Sequence, residues 1–429
     1  MSRLAVFARP LATLALVWLL AVDVAAQSNP AYIRFNPAAT KGALYKPDSG
    51  PAPHVAVLLI HRTNNFMAHL ATAELARRGF LVLGMNPRSD NNEAAVNFED
   101  NALDIRSGIE FLRRQPGITK VILFGHSGGG PATSFYEAVA EKGVTYCQGA
   151  GKLTSCPSGL AGLPKADGVV FVDAHPGVSV NGLRSLNPAV IDEARPDDLD
   201  PSLDPFNPRN GYNPSGPSSY SDAFKARYFK AQADRMNRLI ATAGARLAAL
   251  GGDNDVFVVR RGEGGRLMEL DPTIHHSTVG ARRLLKNDGT VVTQVVESVR
   301  PVGRSTAEQN GTFASARLLT LRSFLSANAV RATNSMDGID WCSSNNSTPC
   351  AVRNISIPVL FTAMGGHYFI RDNEIHYEMA VSADKEFIVI DGATHNITPC
   401  TACEKTPGQF SNATRNFFDY VTKWINQRF

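Results

Sequence analysis

His54-Val-Ala-Val-Leu-Leu-Ile60 runs for the length of a strand with no polar residue after its first position. A strand that alternated apolar and polar would expose one face; a continuous apolar run belongs to a parallel strand covered on both. Such a strand requires helices above and below it, and the chain supplies them in turn. The pattern predicts a helix from about Phe66 to Arg78, closed by Gly79, and a second strand over Phe80-Leu-Val-Leu-Gly-Met85. Ala102, Ile105, Ile109 and Leu112 then recur at helical spacing until Pro116-Gly117 ends the stretch. Val121 to Phe124 is strand again, a small-residue helix reaches about Glu141, and Gly168 to Val172 is strand. Tyr32 to Phe35 and Gly42 to Pro47 read as short strands at the sheet edge. Alternation of this kind implies an open, mostly parallel α/β sheet with right-handed crossovers.

The alternation lapses over residues 178–353 and resumes at Ile357-Pro-Val-Leu-Phe361, Glu386 to Ile390 and a closing helix from about Phe410 to Asn426. The chain thus divides into a leader (1–26), a main α/β domain (27–177 and 354–429) and a large mixed α+β insertion (178–353) expected to form a cap or lid. Within the insertion, a long amphipathic helix carries Phe224, Tyr228, Leu239, Ala243 and Leu247. Strands are expected at Val256 to Arg260, Leu267 to Leu270 and Val291 to Val296, with a hairpin turn at Asp288-Gly289. A second helical stretch is expected from about Thr312 to Ala329.

Arg3 and Arg9 precede the short apolar run Leu11 to Val22 and the small residues Val24-Ala25-Ala26, which is the layout of an export signal cleaved near Ala26. The run is too short to span a bilayer, and the remaining chain is expected to be secreted or periplasmic, with no stable membrane insertion. A net charge of +4 on 429 residues gives no reason to expect nucleic acid as a partner. Six cysteines fall in three close pairs, Cys147 with Cys156, Cys342 with Cys350 and Cys400 with Cys403, as expected of local disulfides in an oxidising compartment.

Gly125-His126-Ser127-Gly128-Gly129 lies between the strand ending at Phe124 and the helix after it. Serine at a tight strand-to-helix turn, with glycines where side chains would clash, is a nucleophile elbow that lifts the hydroxyl above the carboxyl edge of the sheet. A serine hydroxyl needs a base, and Gly392-Ala-Thr-His395 follows the last strand, where His395 reaches the same edge.

Gly42-Ala-Leu-Tyr-Lys-Pro47, the elbow around Ser127, Pro358-Val-Leu360 and Gly392-Ala-Thr-His395 together resemble the α/β-hydrolase superfamily, in particular secreted bacterial serine esterases of the dienelactone-hydrolase and prolyl-oligopeptidase branch. The likeness covers roughly residues 30–177 and 355–429, and leaves the insertion, and so the substrate, unassigned. It implies a carboxylic ester hydrolase with a Ser-His-acid triad, an acyl-enzyme intermediate and no cofactor, acting on a small-molecule or polymer ester. A peptidase or amidase of similar fold, or a binding protein that has lost catalysis, are the alternatives.

Two positions depart from the family's pattern. His61-Arg62-Thr63 stands where a His-Gly pair is usual, so the oxyanion donors are assigned to the N–H groups of Gly128 and Thr63, with Arg62 either holding a substrate anion or salt-bridged. His367 stands where the triad acid is expected, so the acid must come from elsewhere: Asp173, at the end of the preceding strand as in haloalkane dehalogenases, or its rivals Glu374 and Asp372. His175 and His367 read as polar loop residues near the pocket mouth. His275-His276 has no carboxylate or cysteine at ligand spacing, and no metal site is expected.

Overall fold

The computed structural model describes residues 30–35, 40–252, 254–263, 266–301 and 315–429, and the expected leader lies outside them. The first half follows the pattern: strands β1 (Ala31–Arg34), β2 (Lys41–Tyr45) and β3 (Val55–Ile60), helix α1 (Leu70–Arg77), β4 (Leu81–Asn86), α2 (Phe98–Arg113), β5 (Lys120–His126), α3 (Gly129–Lys142) and β6 (Gly168–Val172). All six residues of β3 are buried. Leu58 and Ile60 turn to the face covered by α2 and α3, with Ile105, Ile109 and Phe135. Val57 and Leu59 turn to the other, where Leu75 of α1 packs. The period of two along the strand divides one apolar run between two cores.

The insertion contributes α4 (Val178–Ser185), α5 (Asp222–Ala249), β7 (Val256–Glu263), β8 (Arg282–Leu285), β9 (Val291–Gln294), β10 (Ser315–Thr320), β11 (Ala332–Asn334) and β12 (Gly338–Ile339). The chain then returns through β13 (Val359–Met364), α6 (Ile370–Met379), β14 (Lys385–Ile390) and α7 (Ala413–Asn426). Helix α7 seals the second core with Phe417, Phe418, Val421, Trp424 and Ile425, all buried; truncating a tryptophan so placed costs about 3–5 kcal/mol.

The main sheet has ten strands in the order β1-β2-β4-β3-β5-β6-β13-β14-β8-β9. It is parallel from β4 through β8, with antiparallel partners at both edges. Part of the insertion therefore belongs to the main sheet. Residues 282–294 form a hairpin around Asp288-Gly289, with Gly289 at φ 86° as the turn requires, and β8 extends the sheet beyond β14.

Two local expectations are corrected. Leu267 to Leu270 is one helical turn, not a strand. The stretch expected to be helical from Thr312 is, from Ser315 to Thr320, the strand β10 paired antiparallel with β7. Its exposed Leu318 and buried Leu319 alternate as a half-covered strand does, and helical geometry begins only at Leu321. Helix α5 buries Phe224, Tyr228 and Leu239 within the insertion's own clusters, with Tyr220, Met268 and Ile274 in one and Phe257, Leu319 and Phe324 in another. All three cysteine pairs are disulfides. Among the described residues, no helix is long and apolar enough to cross a membrane.

Candidate active site

Ser127 occupies the turn between β5 and α3 with φ at 57°, a left-handed conformation uncommon for a residue with a side chain. The turn is held by neighbours on three sides. Ser127 N–H donates to the Val172 carbonyl at 3.1 Å, and the Ser127 carbonyl accepts from Gly130 N–H and His175 N–H, both at 3.0 Å. A Cβ on Gly125 would strike Thr133 and the Gly129 backbone, and one on Gly129 would strike the Ile60 carbonyl. The elbow is therefore closed to side chains at both glycines the sequence pattern singled out.

Ser127 Oγ lies 2.8 Å from His395 Nε2, and His395 Nδ1 lies 2.6 Å from Asp173 Oδ2. Of the three candidate acids, the structure brings Asp173 to the base and commits the others elsewhere. Asp372 is buried against Arg184, whose Nη1 sits 3.0 Å from both carboxylate oxygens. Glu374 accepts from Val279 N–H, Gly280 N–H, Arg282 and Arg371. Asp173 sits just past the end of β6 with φ at 42°, and Met364 N–H donates to its Oδ1 at 3.1 Å. Burial alone would raise the Asp173 carboxyl, but the adjoining His367 and His395 outweigh it and hold it well below the usual carboxylate range.

His367 also stands 2.6 Å from Asp173 Oδ2 through Nδ1. Its ring stacks on His395 with centroids 4.4 Å apart. The residue in the expected place of the acid thus borrows the acid of the neighbouring strand. Asp173, His367 and His395 are also the group among the described residues whose atoms converge enough to hold a metal ion. Both nitrogens stand 2.6 Å from the Asp173 oxygen, closer than the about 3.3 Å that separates ligand atoms around tetrahedral zinc, and the His395 contact is a hydrogen bond.

Six of the ten histidines gather here: His61, His69, His126, His175, His367 and His395. Three form a directed chain. Ala71 N–H donates to His69 Nδ1, so His69 Nε2–H donates to His126 Nδ1 at 2.9 Å and His126 Nε2–H donates to the His395 carbonyl at 2.8 Å. Burial drives His126 well below its ordinary value and His69 down to about 4, which keeps both rings neutral. From the other side, Cys400 N–H donates to the Gly392 carbonyl at 2.8 Å, closing the loop that carries His395, and the Cys400–Cys403 disulfide braces the chain directly after it.

The Thr63 N–H, expected in the oxyanion hole, is instead donated to His61 Nδ1 at 3.1 Å, alongside Asn64 N–H at 2.9 Å. The loop after β3 thus turns back on the His61 ring. Arg62 itself is buried and ion-paired with Glu93, the salt-bridged of its two readings. The His61 proton is thereby fixed on Nε2, which faces Gly128 closely enough that a Cβ there would lie 2.5 Å from it. Gly128 keeps the position directly after Ser127, at the N-terminus of α3.

A cleft of about 450 Å³ opens over Ser127, walled by His175, by Asn181 and Gly182 of α4, and by Arg317 and Leu318 of β10. A smaller hollow lies on the His395 side, against His69 and His126. The long helix α5 lines neither, and its aromatic residues pack in the insertion's own core.

His175 and His367 lie in loops, as expected, but local pattern gave no sign of their contacts with Ser127 and Asp173.

No known family model matches this chain, nor does any curated protein. Among solved structures it is similar to DcsB in complex with its substrate analogue, at 11% identity over 91% of this chain and 94% of that one, TM-score 0.43. It is similar also to the α/β hydrolase GrgF from Penicillium sp. sh18, at 9% identity over 93% and 98%, TM-score 0.43, and to Est1E from Butyrivibrio proteoclasticus, at 9% identity over 94% and 99%, TM-score 0.38. With helices on both faces of a mostly parallel sheet, the serine at its central strand-to-helix turn and the histidine and acid at the carboxyl edge, the chain has an α/β-hydrolase fold.

Proposed function

We propose that the chain is an exported serine hydrolase that cleaves carboxylic esters through an acyl-enzyme. The observation that carries this reading is the hydrogen-bonded line from Ser127 Oγ to His395 Nε2 and from His395 Nδ1 to Asp173 Oδ2. His395 takes the serine proton as Oγ attacks the acyl carbon, Asp173 holds the ring in the tautomer that leaves Nε2 open, and the imidazolium then gives its proton to the departing alcohol. The acyl group occupies the cleft under the cap, and the alcohol leaves through the hollow beside His395. Gly128 N–H and His61 Nε2–H flank the place where the tetrahedral oxyanion forms. Three disulfides support export to an oxidising compartment.

Purified protein with an organophosphonate and with ester and amide substrates of equal acyl group tests the reading. Labelling at Ser127, ester turnover well above amide turnover, and loss of both in Ser127→Ala are expected. Amide turnover exceeding ester turnover would make the protein a peptidase or amidase, and absence of labelling would make it a binding protein.

A further inference from the structure

Ser127 Oγ touches two imidazoles. Besides His395 Nε2 at 2.8 Å, His175 Nε2 lies 3.0 Å away. The two rings are nearly parallel, 23° apart, with centroids separated by 6.1 Å.

Their protons can be assigned by counting. A serine hydroxyl has one hydrogen to give and two lone pairs to offer. His395 has a carboxylate on Nδ1, so that nitrogen carries the proton and Nε2 accepts the serine hydrogen. The second imidazole must therefore be a donor to Oγ. His175 is built for that role, because Asn181 Nδ2 lies 3.0 Å from its Nδ1; an amide N–H there makes Nδ1 the acceptor and leaves the proton on Nε2. The residue is also fixed in place. Its N–H donates to the Ser127 carbonyl at 3.0 Å, its carbonyl accepts from Thr348 Oγ1 at 2.8 Å, and its ring meets the Phe369 ring edge-on at 4.9 Å. Burial holds its pKa well below the ordinary value, so the ring stays a neutral donor.

We propose that His175 is a further catalytic residue, a hydrogen-bond donor to Ser127 Oγ that acts chiefly in deacylation. This rests on the serine-hydrolase reading above. No proton changes owner at His175. In the free enzyme its Nε2–H bonds a hydroxyl oxygen, a good acceptor. In the acyl-enzyme the same oxygen is the alkoxy oxygen of an ester, a poor one. When water has added and Oγ departs from the acyl carbon, the electron pair of the breaking bond collects on Oγ while His395 returns the proton. The bond from His175 is then strong again. It is thus stronger in the deacylation transition state than in the acyl-enzyme, and only slightly changed between free enzyme and acylation transition state, so it lowers the second barrier more than the first. Asn181 acts through His175 and is a positioning residue.

Burst kinetics of the full chain with 4-nitrophenyl acetate test this. His175→Phe, which keeps a flat ring and removes the donor, is expected to lower kcat at least tenfold and KM by a similar factor, to leave kcat/KM within about threefold, and to enlarge the burst of nitrophenol as acyl-enzyme accumulates. His175→Gln, whose amide can donate, should recover part of kcat. Asn181→Leu should show the same split to a smaller degree with His175 in place, which keeps the test decisive if the phenylalanine variant does not fold. A fall in kcat/KM as large as that in kcat at unchanged KM, or no change in either parameter in the variants, overturns the proposal. Failure of the wild-type chain both to turn over the ester and to take the phosphonate would overturn the hydrolase reading, and this inference with it.

Discussion

Asp173→Asn inverts the triad without removing an atom. Asp173 Oδ1 holds Met364 N–H at 3.1 Å, and Oδ2 stands 2.6 Å from the Nδ1 atoms of both His395 and His367. If the asparagine oxygen keeps Met364, its NH2 faces His395 Nδ1 and forces the ring proton onto Nε2, where it donates to Ser127 and can no longer accept. If the amide flips, two N–H groups collide at Met364. The loss has two parts: a buried charge-assisted hydrogen bond to the imidazolium, about 1.5–3 kcal/mol, and the wrong tautomer, of the order of 2–3 kcal/mol. Together they give about 4–6 kcal/mol, or roughly 10³ to 10⁴ in kcat at 1.36 kcal/mol per tenfold; the same exchange in a serine protease costs about 10⁴. The assay is initial-rate hydrolysis of 4-nitrophenyl acetate at pH 8, with circular dichroism and Tm confirming a folded variant. Asp372→Asn and Glu374→Gln serve as comparisons, since both break buried ion pairs remote from His395. They should lower Tm more than they lower kcat. An Asp173→Asn enzyme within tenfold of wild type, or a folded Asp372 or Glu374 variant with the larger loss of kcat, would refute the assignment.

Gly128→Ala would drive a methyl group into the buried His61 ring at Nε2, so it should lower ester kcat about a hundredfold or more and lower Tm as well. Replacing Cys400 and Cys403 by serine should lower activity more than the same exchange at Cys147 and Cys156, because the first pair braces the chain five residues after His395, where Cys400 N–H anchors that loop; equal losses would contradict this. Leu318→Trp, in the β10 wall of the cleft, should depress kcat/KM for bulky esters more than for acetate, whereas core substitutions in α5 should scale all esters alike. Burial of Glu137 raises its carboxyl to about 8. The folded chain then holds a proton that the unfolded chain has lost above about 4.5, so stability falls as pH rises between these values, by up to about 5 kcal/mol. Glu137→Gln, which retains an oxygen for Ala166 N–H, should raise Tm at pH 9 more than at pH 5.

Sequence alone determined the features that depend on neighbours along the chain. The parallel strands β3 to β6 were legible because burial on both faces demands an uninterrupted apolar run. The elbow was legible because its glycines answer to steric limits within five residues. The cysteines paired with the cysteines nearest in sequence, as short loops favour. Which acid meets His395 was decided only by the tertiary structure. Asp173, Asp372 and Glu374 each lie near a strand end or an early helical turn, and no local pattern separates them. Arg184 and Arg282, both from the insertion, neutralise Asp372 and Glu374 and leave Asp173 as the carboxylate that faces His395. The same holds for His175 and Thr63. One meets Ser127 and Asn181, and the N–H of the other is taken by His61. The insertion, too, was legible as an interruption but not in its parts, because β8 is stabilised by pairing with β14 and β10 by pairing with β7. Strand edges and ion pairs are completed by groups far along the chain, and the periodicity of a local segment carries no record of them.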